Sequence, residues 1–341
     1  MTRSSLRSVA LAFLLCVAAP VFAQPDILSG RAHDFEFLNV TVNPRAAALG
    51  NSFVAIKNDP NAIFSNPACI VSVVPKDSTY LGTPVSFGFT PLPAGLSEGY
   101  ISYGGRIPGD SNIGAFGIAV QYIGGSFDGR DNQGLSTGNF SSGAFAMTVA
   151  YAGTIPEKPL SYGIGVKYIT SSLASGAATT EKLSSSGIAA DLGVYFELES
   201  ALMTFGLSAL NIGTQLTSYS GIKESLPFNL QFGISKKLER LPLTMHFAFR
   251  HLSRDREGRG LFYALNDFSI GGEFVLSKPL RLRFGYENQK RQDFKTPQGV
   301  GLGGFSLGIG LNLKKLTFDY AMNIEGPGLP DIHRFGFAYL F

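Results

Sequence analysis

The stretches "FGIAVQY", residues 116–122, and "FAMTVAY", residues 145–151, decide the fold. In the first, Phe116, Ile118, Val120 and Tyr122 alternate with Gly117, Ala119 and Gln121. In the second, Phe145, Met147, Val149 and Tyr151 alternate with Ala146, Thr148 and Ala150. A period of two is that of a β-strand, whose successive side chains point to opposite faces. One face here is large and apolar, the other small or polar. The pattern returns at 162–168, 228–234, 243–249, 280–286 and 305–313. A β-sandwich has shorter strands with an ordinary polar surface, whereas apolar-out, polar-in alternation over about ten residues belongs to a membrane barrel.

Fourteen segments carry strand character: roughly 79–89, 98–105, 113–124, 142–153, 160–170, 186–197, 201–211, 227–237, 241–252, 267–276, 279–288, 302–313, 315–323 and 332–341. Short connections ("TIPEKP", "LES", "LER", "SK", "KK") alternate with long polar ones at 125–141, 171–185, 212–226, 253–266, 289–301 and 324–331. Short periplasmic turns and long external loops are what an outer-membrane barrel needs, and an even count returns both ends to the periplasm. Residues 79–341 are therefore predicted to form an all-β, fourteen-stranded antiparallel transmembrane barrel. The final "RFGFAYLF" puts Phe335, Phe337, Tyr339 and Phe341 on one face, which resembles the carboxy-terminal signal read by the barrel-assembly machinery.

Composition agrees. The chain has 41 Gly, 28 Phe and 13 Tyr but only 16% charged residues, and no later apolar run approaches the ~20 residues of a membrane helix. Residues 1–23 read as a secretory signal: Arg3 and Arg7, an apolar stretch over 9–19, then Val21-Phe22-Ala23 before Gln24. Once that segment and its Cys16 are removed, Cys69 is left alone, which excludes an internal disulfide in the exported chain. The remaining charge is close to balanced and gives no argument for nucleic acid.

Fourteen strands enclose more space than wall side chains fill. Residues 24–78 precede the strands and are expected to fold inward as a plug. In "NPRAAALGNSFVAI", residues 43–56, Asn43 is the expected N-cap, Pro44 the first helical residue and Gly50 the stop. In "NDPNAIFSNPA", residues 58–68, Asp59 before Pro60 is held out of the helical region, and Asn58 and Asn66 suit tight turns.

"NDPNAIFSNPA", with Asn58, Asp59, Pro60, Asn66, Pro67 and Ala68, resembles the hatch motif of the long-chain fatty-acid transporter superfamily. The longer stretch over 43–70 is similar to the opening of the PorV/PorQ family of the type IX secretion system. "GLSTGNFSSGAFAMTVAYA", "LPFNLQFGISKKLERLPLTMHFAFRHLSR" and "GFSLGIGLNLKK" are nearer its PorQ members. Asn51, where that family has a second Gly, and Cys69, where it has an apolar residue, depart from the pattern.

The alternation turns Lys167, Asp191, His246, Arg250, Asp267, Glu273, Arg281, Arg283, Glu287, Asp319 and Arg334 inward. Pairing across the wall and gripping the plug is the expectation for them; lining a polar pore is the alternative. Lipid-facing Val149 or Phe232 changed to Arg should cost about 2–4 kcal/mol, and inward Ala119 changed to Arg should cost less. The basic stretch 251–260 could meet anionic lipopolysaccharide. His33, His246, His251 and His333 lack metal spacing, and the Gly-rich runs lie on strand faces, so neither catalytic set, metal site nor cofactor is expected.

Two functions follow. The PorV/PorQ resemblance implies a non-enzymatic outer-membrane subunit of type IX secretion, anchoring a surface partner of the attachment complex, such as PorZ, beside lipopolysaccharide. The long loops would dock it, with Phe127, Phe140, Tyr219, Phe262, Tyr263 and Phe294 as aromatic anchors. The transporter resemblance implies a channel for hydrophobic ligands. That reading needs a greasy path, and the inward faces are small or charged.

Overall fold

The computed structural model describes residues 35–57, 59–72, 84–106, 114–175, 182–219, 221–253, 264–297 and 299–341. The secretory signal, the bounds of the 24–78 segment, Asn58, Phe262, Tyr263 and most of the 251–260 stretch lie outside these residues. Fourteen strands close into one antiparallel barrel in chain order, and β1 meets β14 at the seam. They are β1 (Pro84–Pro91), β2 (Leu96–Arg106), β3 (Ala115–Arg130), β4 (Ser136–Thr154), β5 (Leu160–Ser175), β6 (Lys182–Leu198) and β7 (Met203–Thr217), then β8 (Asn229–Lys237), β9 (Leu243–Phe249), β10 (Phe268–Val275), β11 (Leu280–Glu287), β12 (Phe305–Leu313), β13 (Leu316–Asn323) and β14 (Ile332–Leu340). Each sits on one of the segments that the alternation marks. No described helix is long and apolar enough to cross a membrane.

The faces are as the period requires. Val149, Val166 and Phe284 point outward and stay 40% exposed or more, while Ala119 and Ala150 on the inner face are buried. A closed sheet is the one β-arrangement that leaves no backbone edge in lipid. At the seam, Phe337 stacks on Phe87 at 5.4 Å and tilts against Phe318 at 5.1 Å. Phe335 and Tyr339 share that outward row, and Phe341 lies just beyond it.

Strand length divides the wall. β3 to β7 have 16, 19, 16, 17 and 15 residues. β8 to β14 have between 7 and 9. Crossing a bilayer takes about 9–11 tilted residues, so one side of the barrel rises past the membrane as a crest, roughly 20 Å tall at ~3.3 Å per residue. This corrects part of the loop reading: 125–130, 136–141, 171–175, 182–185 and 212–217 belong to strands. Pairing continues from Tyr122↔Phe145 up to Phe127↔Phe140 and Asp128↔Asn139. The apolar alternation stops where lipid stops, but backbone hydrogen bonding does not.

Candidate functional site

Local chemistry shapes residues 35–72. The Asn43 side chain caps α1 (Pro44–Ala48) by accepting from Arg45 N at 2.9 Å, and Gly50 leaves the helix at φ 59°. Asp59 caps a 3-10 turn over Pro60–Phe64 by accepting from Asn61 N at 2.9 Å. Asn66 accepts from Ala68 N at 3.0 Å and opens a second 3-10 turn, Pro67–Ser72.

These short elements fasten to inward groups on strands all around the barrel. Asn61 bonds Ser86 of β1 at 3.1 Å and Ser102 of β2 at 2.7 Å. Asn66 donates to Val54 O at 2.9 Å and to Val194 O of β6 at 3.0 Å. Thr204 and Ser208 of β7 donate to Ala55 O and Ser65 O at 2.8 and 2.7 Å. Ser306 of β12, Asn323 of β13 and Arg334 of β14 donate to Ala48 O, Ala47 O and Thr41 O at 3.0–3.2 Å. Buried backbone carbonyls need partners, and the wall supplies them.

Two different seats hold this inner segment. Against β10, β11 and β13 the seat is ionic. Arg45 makes two bonds to Glu273, at 2.9 and 3.0 Å, and a third to Asp59 at 3.2 Å. Arg283 bonds the same Glu273 at 2.6 Å and also pairs with Asp319. Burial alone would lower the proton affinity of Arg45, but Glu273 and Asp59 reverse that, and it stays charged. Nearby, Glu287 takes Arg250 at 3.3 Å and a hydrogen bond from Asn51. Arg281 of β11 is half-buried and has no ion pair among the described residues.

Against β3 to β7 the seat is apolar. Phe53, Ile56, Ile63, Cys69 and Ile70 pack with wall residues Ala115, Ala119, Ala150, Ala152 and Tyr195. A Cβ placed on Gly163 would lie 2.3 Å from Ala68 N, and one on Gly206 would lie 2.2 Å from Val54 O. Only glycine lets two backbones come this near. Ala119 is therefore dry rather than wet, and an Arg there would displace the inner segment, which corrects the expectation that it is the milder site.

Elsewhere the inward charges pair across the wall. Lys167 bonds Asp191 at 3.1 Å and Asn211 at 2.6 Å, and His251 bonds Asp267 at 2.6 Å. A cavity of about 40 Å³ remains between the inner segment and the wall, lined by Asn43, Asn51, Gln121, Asn229, Gln231 and Arg250 among others. That is room for a few waters. No cluster of three or more His, Cys, Asp or Glu that could hold a metal occurs among the described residues.

Four of the expected docking aromatics are described, and they lie at different places on the rim. Phe127 and Phe140 face each other across β3 and β4 on the inner side of the crest, both half-buried. Tyr219 donates to Ser171 at 2.6 Å. Phe294, at the end of α2 (Asn288–Asp293), packs against Gly326 on the low side of the rim. Sequence reading missed Arg45 and Asn61. A single Arg in an alanine helix was the available signal, since such a charge goes inside only when paired.

No protein-family model and no curated protein matches the chain. Solved structures do. It superposes on the Ralstonia pickettii toluene transporter TbuX with a TM-score of 0.57 at 14% identity, over 88% of this chain and 98% of that one. The Pseudomonas putida toluene transporter TodX gives 0.54 at 12%, over 86% and 96%. At such identity the likeness is one of fold: this chain is a fourteen-stranded barrel of the bacterial outer-membrane kind.

Proposed function

We propose that this barrel is a non-enzymatic outer-membrane component that works through its rim, with the crest of β3 to β7 as the surface offered to a partner outside the cell. One observation carries the reading: the described residues 35–72 bond inward groups on strands around the barrel, from β1 and β2 through β6 and β7 to β12, β13 and β14. A barrel whose interior is held this way has its useful surface at its mouth. The PorV/PorQ resemblance makes that partner a subunit of the type IX attachment complex, with lipopolysaccharide alongside. Residues 35–72 are then a resident plug.

The solved structures favour a second reading, because the barrels that superpose are described as toluene transporters. On that reading the inner segment is a hatch that shifts to pass a hydrophobic ligand. One pair of measurements separates the two. Shortening the β3–β4 hairpin to a tight turn at residues 126–141 should abolish co-purification of an attachment-complex subunit, while heat-modifiable migration of the barrel persists. Purified barrel in lipid vesicles should not speed entry of toluene. If the shortened barrel kept its partner and the intact one sped toluene entry, the transport reading would replace docking.

A further inference from the structure

At the foot of the crest the outer surface of β3, β4 and β5 holds a hollow of about 340 Å³, lined by Tyr122, Ser126, Ser141, Gly143, Phe145 and Ser172 among others. Gly124 and Gly143 are direct cross-strand partners. The Tyr122 ring lies across them: a Cβ on Gly124 would be 2.3 Å from its hydroxyl, and one on Gly143 would be 3.4 Å from its ring edge. The Tyr122 side chain nonetheless stays 46% exposed. Ser126 and Ser141 are also cross-strand partners. The hydroxyls of Ser126, Ser141 and Ser172 make no hydrogen bond among the described residues, and no charged side chain lines the hollow.

We infer that this hollow binds a sugar ring of the glycolipid in the surrounding outer leaflet. A flat aromatic face takes the slightly positive C–H face of a pyranose, because the ring's π surface is negative. Hydroxyls beside it pair with the sugar's own. The absence of charge makes phosphate the wrong ligand. Position selects the source. Below the hollow run lipid-facing Tyr168, Met147 and Val149, each 40% exposed or more, so it opens directly onto the membrane belt at the level where aromatic girdles meet headgroups. A soluble glycan would need no such continuity. The inference stands on the lipid-facing side of the wall and holds for either reading of function.

The chain has no Trp, so Tyr122→Trp gives a single reporter that keeps the flat ring. In nanodiscs free of lipopolysaccharide, titration with deacylated, dephosphorylated lipopolysaccharide oligosaccharide should give a saturable change in its emission. Adding Ser141→Leu should weaken that binding at least tenfold. A Trp at Met147, mid-wall on the same face, should not respond. Intact lipopolysaccharide should bind more tightly than the oligosaccharide, since its acyl chains share the belt; equal affinity would mean a free-glycan site instead. Heat-modifiable migration checks that each variant is folded. No response at Tyr122→Trp, or one unchanged by Ser141→Leu, would overturn the inference.

Discussion

The wall grips its inner segment by two unlike chemistries. On the β10 to β13 side, Arg45 is held by Glu273 and Asp59, with Arg283 and Asp319 completing the chain of charges. On the β3 to β6 side, apolar residues do the holding, while bare glycine backbone lies against the inner segment on both sides. The ionic side sets orientation, because the two-bonded contact of Arg45 with the Glu273 carboxylate tolerates one placement. The apolar side supplies adhesion, because burial is favourable but not directional. Swapping a residue on each side should therefore give different failures.

The largest effect belongs to the ionic side. Arg45→Ala leaves Glu273 and Asp59 buried with a partner removed, and breaking such a pair costs about 3–5 kcal/mol. Urea unfolding in lipid vesicles measures it. Adding Glu273→Gln should recover part of the loss; a strictly additive double variant would mean the two do not act as a pair. Next come charges placed on the two faces of β3 and β4. Val149→Arg should cost about 2–4 kcal/mol in the same assay. Ala119→Arg should cost no less, since it drives into the apolar seat. A near-neutral Ala119→Arg would show that seat to be wet and the contrast false.

Smaller again is Gly163→Val, which forces a side chain into Ala68 and Pro67. Overpacking of this kind costs about 1–3 kcal/mol. It should loosen residues 66–72 while leaving the Arg45 contacts intact, which hydrogen exchange resolves segment by segment. The smallest effect is at Cys69. Burial pushes its thiol up, against a weaker pull from Lys57, so it stays a thiol and unreactive. A maleimide should not label the folded barrel and should label it after heating. Labelling at room temperature would mean that the apolar seat opens on its own.

How much of this was legible follows the same division. All fourteen strands show in the sequence, because lipid imposes a period of two on every one. The charges of the ionic seat show as well: Glu273, Arg283 and Asp319 stand on inward positions that a period-two reading assigns, and Asn43-Pro44 announces its own helix. The apolar seat does not show. Gly163, Gly206 and Ala119 are small, and small inward residues look the same whether they face water or a second backbone. The crest was hidden for a different reason. Above the bilayer, Ser, Thr and Gly replace the apolar alternation, so 126–141 reads as a loop although its hydrogen bonds run on.

The claim that the barrel is filled and serves through its rim is tested most directly by conductance. The intact chain, reconstituted in a planar bilayer, should show no steady ionic current, and Arg45→Ala should introduce openings as the ionic seat lets go. A steady, ohmic pore in the unaltered chain would contradict the account, because a barrel whose interior conducts is not plugged by residues 35–72.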